Sequence, residues 1–211
     1  MGVQKHSVHD VMYKVCTSSA EAVCRYAKVS GDSRETMPEY FMPAFILEKL
    51  GSKITMTLET NSATLRNWDK EAQSRRSRSS GRVDGATTTR LEQAIKKLDR
   101  RGRIDLVVFD GSSRVKSDEE FLILVEFKLW ARDRAGYDRD KLQEVLSYIQ
   151  TCPYGAICYL IDGAPDSEWV RDLKREAGRR KDKWFCAPVP DVLNEGKGVF
   201  SVCAELFARE Q

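Results

Sequence analysis

Two stretches decide the fold: Arg103–Asp110, reading RIDLVVFD, and Phe121–Trp130, reading FLILVEFKLW. Both are rich in β-branched and aromatic residues, the composition of strands. The ten residues between Asp110 and Phe121, GSSRVKSDEE, are polar and turn-forming, so the pair reads as a hairpin. Phe121–Val125 is apolar at every position, which suits a strand covered on both faces and therefore central in its sheet. Side chains on a strand alternate between faces, so Glu126 and Lys128 share one face and Phe127 points to the other. With the turn centred on the connection, facing residue numbers sum to about 231, which sets Asp105 across from Glu126.

Outward from this hairpin the chain reads as helices first and strands later. Val8–Lys28 carries an amphipathic helical stripe that ends at Ser30-Gly31-Asp32. A second helix is expected from about Pro38 to Leu50, with Pro43 forcing either a kink or a start near Met42. Lys53–Thr60 alternates as a strand. Ser74–Arg82, SRRSRSSGR, has no apolar period and reads as a mobile loop within a basic insert at about 66–88. Thr89-x-x-Glu92 has the spacing of a capping box, with Leu91, Ile95 and Leu98 following on one helical face. Past the hairpin come a helix over Asp138–Thr151, a strand over Ala156–Asp162, a charged helix over Ser167–Arg180 and strands over Trp184–Val189 and Val199–Leu206. The 211 residues read as a single domain of mixed α/β class.

Charge is uneven. The formal net charge is +3, yet Arg66–Arg103 holds twelve basic against five acidic residues. A basic segment of this kind is either a solvated excursion or an arm that neutralises phosphates. The six cysteines form no Cys-x-x-Cys pair and read as reduced, mostly buried residues. The two histidines, His6 and His9, sit near the N-terminus without partners at zinc spacing, so histidine-based mechanisms have little to work with. No apolar stretch approaches the roughly 18 residues of a membrane span and no leader is visible, so the expectation is a cytoplasmic chain without a membrane.

The residues that carry chemistry are Asp105, Glu126 and Lys128. Two carboxylates at one strand edge repel, and a cation offsets that cost. Lys128 supplies one charge. A hard divalent ion, Mg²⁺ or Mn²⁺, would take the remainder through Asp105, Glu126 and the Phe127 carbonyl. Such an ion polarises a phosphodiester and activates water, while Lys128 positions that water and stabilises developing charge. The plainer reading is an ion-pair cluster worth about 0–1 kcal/mol on an exposed sheet face.

The pattern Arg-Ile-Asp105, then twenty residues, then Glu126-Phe-Lys128, then an amphipathic helix and a strand, resembles the PD-(D/E)xK nuclease superfamily over about residues 38–162. The resemblance implies a restriction-endonuclease-like three-layer core, a central mixed β-sheet flanked by helices. The N-terminal helix and the C-terminal strands would then be extensions. It implies metal ligation by Asp105 and Glu126, a water-positioning Lys128 and a helix glutamate, for which Glu39 is the matching candidate. Ile104 stands where the proline of the superfamily name would be. Gln143 and Tyr148 are five apart, one more than the Gln-x-x-x-Tyr spacing of some resembling nucleases. The expected function is metal-dependent hydrolysis of nucleic acid, DNA before RNA, with Arg75, Arg76, Arg78, Arg101 and Arg103 on the backbone. The alternative is a catalytically inactive nucleic-acid-binding or protein-interaction module of the same fold. A homodimer is compatible with the sequence, which offers nothing in its favour.

Overall fold

A computed structural model of the chain describes residues 7–30, 37–38, 40–51, 53–76, 93–94, 103–110, 120–129, 135–149, 151–190 and 200–210. The first helix, α1, runs Val8–Ser30. Ser7 caps it, its Oγ accepting from the Asp10 N–H at 3.1 Å. Val11, Met12, Val15, Ser19, Ala22 and Val23 form its buried stripe. Helix α2 runs Phe41–Leu50. Pro43 therefore falls in the first turn, where an amide donor would have no intrahelical acceptor, and it costs the helix little.

Six strands follow: β1 (Met56–Asn61), β2 (Arg103–Asp110), β3 (Glu120–Lys128), β4 (Tyr154–Asp162), β5 (Lys183–Pro188) and β6 (Phe200–Ala208). They form one sheet in the order β1-β2-β3-β4-β6-β5. Only β3 and β4 run parallel; the other four pairings are antiparallel. The parallel pair is joined by helix α4 (Ala135–Tyr148), as a same-direction connection requires. Helix α5 (Glu168–Arg179) joins β4 to the edge strand β5 and is capped by Ser167, whose side chain accepts from the Val170 N–H.

The sheet is covered on both faces. On one, Leu106, Val108, Ile123, Val125, Phe127 and Cys158 pack with the buried residues of α1 and α2. On the other, Val107, Leu124, Ile157, Tyr159, Cys203 and Phe207 pack with Leu142, Val145 and Leu146 of α4 and Val170 of α5. The result is a three-layer α/β arrangement. Gly155 permits close packing on this second side: a Cβ there would lie 2.5 Å from Phe207 Cε2 and 2.9 Å from Leu146 Cδ1.

One element departs from the sequence reading. Residues 62–76 form a helix, α3 (Ser62–Arg76), so the first part of the basic insert expected to be loop is helical. Asn61 starts it, its Oδ1 accepting from the Thr64 N–H at 2.9 Å. Leu65 and Asp69 are buried, and Trp68 meets Phe109 edge-on with ring centroids 5.3 Å apart. Asp69 Oδ1 accepts from both the N–H (2.9 Å) and the hydroxyl (2.6 Å) of Thr151, fixing α3 to the segment that enters β4. The remainder of the insert and most of the helix expected after Thr89 lie outside the described residues.

Candidate metal-binding site at the β2–β3 strand ends

The hairpin register is the one read from the sequence. Leu106 faces Val125, Val107 faces Leu124 and Val108 faces Ile123. A shift between Val108 and Phe109 then changes the pairing to Phe109 with Phe121. Toward the other end, the last strand pair is Leu106 with Val125, next to Asp105 and Glu126. The strands are tied there by a side chain: Asp105 Oδ2 accepts the Phe127 N–H at 2.8 Å. The carboxylate of one strand thus grips the backbone of the other between Glu126 and Lys128.

Glu126 has no solvent exposure, whereas Asp105 and Lys128 are half-buried. Phe127 turns into the α1–α2 layer with Val125. Glu126 and Lys128 lie on the opposite face, level with Ile157 and Tyr159 of β4. Two acidic side chains and an amine therefore come from the ends of adjacent strands. All the donors for a cation are oxygen, which favours a hard ion over zinc. Among the described residues, no three His, Cys, Asp or Glu side chains form a group that could hold a metal. Asp105, Glu126 and the Phe127 carbonyl would be the protein ligands of a cation that completes its shell with water or substrate oxygen, the usual habit of Mg²⁺. Glu39 lies outside the described residues.

The structure adds an acidic residue that sequence reading passed over. Leu58 faces Leu106 and Thr60 faces Ile104, so Glu59 is level with Asp105 on the other side of β2. Its φ of 44° lies in the left-handed region that a non-glycine residue adopts at a cost. Its Oε2 is 2.6 Å from Arg103 Nη1, an exposed ion pair. Arg103 is thus balanced within the protein, and a phosphate would have to compete with Glu59. Arg75 and Arg76 stand in the last turn of α3. Arg78 and Arg101 fall outside the described residues.

A second polar cluster occupies the same face. Glu205 on β6 is level with Ile157, in the lateral row that also holds Glu126. Its Oε1 accepts the Tyr159 hydroxyl at 3.0 Å and its Oε2 accepts Arg180 Nη2 at 2.9 Å. Burial, reinforced by the Glu205 charge, pushes the Tyr159 phenol well above its ordinary value, so it remains a donor. Arg180 Nε also reaches Asp182 Oδ2 (3.1 Å), and Arg139 from α4 holds both Asp182 oxygens at 3.1 Å.

Comparison with protein-family models, with curated proteins and with solved structures finds no match to the chain. No helix among the described residues is long and apolar enough to cross a membrane.

Proposed function

We propose that the chain is a metal-dependent nuclease with a restriction-endonuclease-like core, acting on phosphodiester bonds of nucleic acid, DNA before RNA. The observation that carries this reading is the bond from the Phe127 N–H to the Asp105 carboxylate, which brings Asp105 beside the Glu126-x-Lys128 segment. The element order from α2 supports it: helix, strand, strand, strand, helix, strand, with α3 inserted after the first strand.

In this reading Asp105, Glu126 and the Phe127 carbonyl would hold Mg²⁺, which would supply Lewis acidity toward the phosphodiester and a lowered pKa for the attacking water. Lys128 orients the attacking water and counters the charge that grows on the phosphorus oxygens. The Asp105–Phe127 bond keeps the two carboxylates in fixed relation before substrate arrives, so little reorganisation remains for the reaction itself. Arg75 and Arg76, with Arg78 and Arg101, would neutralise phosphates along the substrate and make binding fall with salt.

The test incubates plasmid, linear duplex, single-stranded DNA and RNA with the protein in Mg²⁺, in Mn²⁺ and in EDTA, and repeats each arm with Glu126→Gln and Lys128→Ala. Cleavage that needs the metal and disappears in both folded variants is the expected result. Intact substrates in every metal arm, or cleavage that survives Glu126→Gln, would overturn the proposal.

A further inference from the structure

Cys186 on the edge strand β5 and Cys203 on β6 are direct cross-strand partners. The Cys203 thiol donates to Cys186 Sγ at 3.1 Å, and all six cysteines of the chain are free thiols. Cross-strand neighbours have Cα separations of about 4.5–5.5 Å. Those values fall within the roughly 4.4–6.8 Å that a disulfide spans, so the strand spacing is compatible with a bond between the two sulfurs. The two thiols also differ in access: Cys186 is half-buried, while Cys203 has no exposure. Cys16 donates to the Val202 carbonyl and Cys152 to the Tyr154 carbonyl.

We infer that Cys186 and Cys203 form a reversible dithiol–disulfide pair, oxidised by low-molecular-weight disulfides with Cys186 as the attacking thiol and Cys203 as the resolving one. The hydrogen-bond direction fits these roles. The S–H of Cys203 is the leading influence that draws the Cys186 thiol below its ordinary value against the opposing effect of burial, and Lys174 contributes in the same direction. The same bond, followed by burial, pushes Cys203 far up. Cys186 is therefore the more readily deprotonated of the two, and the thiolate is the nucleophile.

The exchange balances in two steps. The Cys186 thiolate attacks one sulfur of the small disulfide; that S–S bond breaks, and one small thiolate leaves and takes a proton from water. The Cys203 sulfur then attacks the Cys186 sulfur and its proton passes to the departing small thiolate, so the second small thiol leaves as the cross-strand bond closes. The protein loses two electrons and two protons, and the small disulfide gains both. The product fastens the edge strand β5 to β6. It lies in the lateral row that runs from Lys128 through Tyr159 to Cys203, and it does not depend on the nuclease reading.

The full chain is treated with oxidised glutathione, alkylated, and digested with trypsin without reduction. Cleavage at Lys183, Lys197 and Arg209 leaves Cys186 and Cys203 on separate peptides, Trp184–Lys197 and Gly198–Arg209. The expected product is these two peptides joined, with two of the six thiols no longer alkylated and both restored by dithiothreitol. In Cys203→Ala, Cys186 should instead retain a stable glutathione adduct. In Cys186→Ser, which alters a half-exposed side chain, Cys203 should remain a free thiol. A wild-type protein that keeps glutathione on Cys186 without linkage, leaves Cys186 unreacted, or links Cys186 to another cysteine would refute the pair.

Discussion

Asp105 has two proposed duties that a pair of substitutions can separate. As a structural group it accepts the Phe127 N–H at 2.8 Å, next to a phenylalanine with no exposure. As a ligand it would share a cation with Glu126. Asp105→Ala removes the acceptor and leaves an amide donor near the core, which costs on the order of 1–3 kcal/mol. For a chain of this size each kcal/mol moves Tm by about 2–4 °C, so the variant should melt roughly 4–8 °C below wild type for a central cost of about 2 kcal/mol. Asp105→Asn keeps a carbonyl acceptor. It weakens the bond by removing the charge and also removes repulsion toward Glu126. The two effects oppose, and the variant should melt within about 2 °C of wild type in EDTA. Magnesium then distinguishes the proteins. At one hundred times its dissociation constant, an ion bound only by the folded state adds about 2.7 kcal/mol. Wild type should rise accordingly, whereas Asp105→Asn and Asp105→Ala should rise little. The assay is differential scanning calorimetry in EDTA and across a Mg²⁺ titration. An Asp105→Ala protein as stable as Asp105→Asn in EDTA would refute the structural duty. An equal Mg²⁺ shift in wild type and Asp105→Asn would refute the ligand duty.

Gly155→Ala should destabilise by about 1–3 kcal/mol, because its methyl would overlap Phe207 and Leu146; urea unfolding measures it, and trimming the ring in Phe207→Leu should recover part of the loss. Arg139 and Arg180 both bind Asp182, so single alanine variants should each leave it one partner while the double variant loses more than the sum, by about 0.5–3 kcal/mol in a double-mutant cycle. Burial pushes the Cys16 and Cys152 thiols from an ordinary 9.0 up to about 12. Between those pH values the unfolded chain has released protons that the folded chain retains. Each thiol's contribution is complete below pH 9.0 and is lost toward pH 12, at about 1.4 kcal/mol per pH unit. Urea midpoints from pH 8 to 11 should fall less steeply in Cys152→Ala than in wild type.

The hairpin was legible because three signals agree: apolar runs, a polar turn-rich connection and period-two alternation. The Val108–Phe109 shift was not, since an irregularity of one residue leaves the apolar pattern of Phe121–Val125 unchanged. Helix α3 escaped for a different reason. Apolar periodicity detects a helix that docks through hydrophobic side chains. Ser62–Arg76 docks through Leu65, Trp68 and the acidic Asp69, whose partner Thr151 lies 82 residues away. Arg75 and Arg76 consequently sit on a helix where a loop was expected. The same limit hid the Tyr159–Glu205–Arg180 cluster. Its members are far apart in the chain, and only the strand order places β4 and β6 side by side.

That cluster clarifies what is unusual about Glu126. Both glutamates are buried on the same face of the sheet, in one lateral row with Ile157 between them. Glu205 shows how a fold accommodates such a group for structure alone. A phenol that stays protonated serves one oxygen and a guanidinium serves the other, and no acidic residue stands next to it across either neighbouring strand, where Ile157 and Trp184 face it. Glu126 is set differently. Asp105, on the adjacent strand, is held by the N–H of Phe127, the residue that follows Glu126. Like charges on adjacent strands raise the free energy of the folded state. An arrangement selected only for stability would place an apolar or basic residue at position 105, as the fold does beside Glu205. A carboxylate fixed there instead is what the proposed cation site calls for.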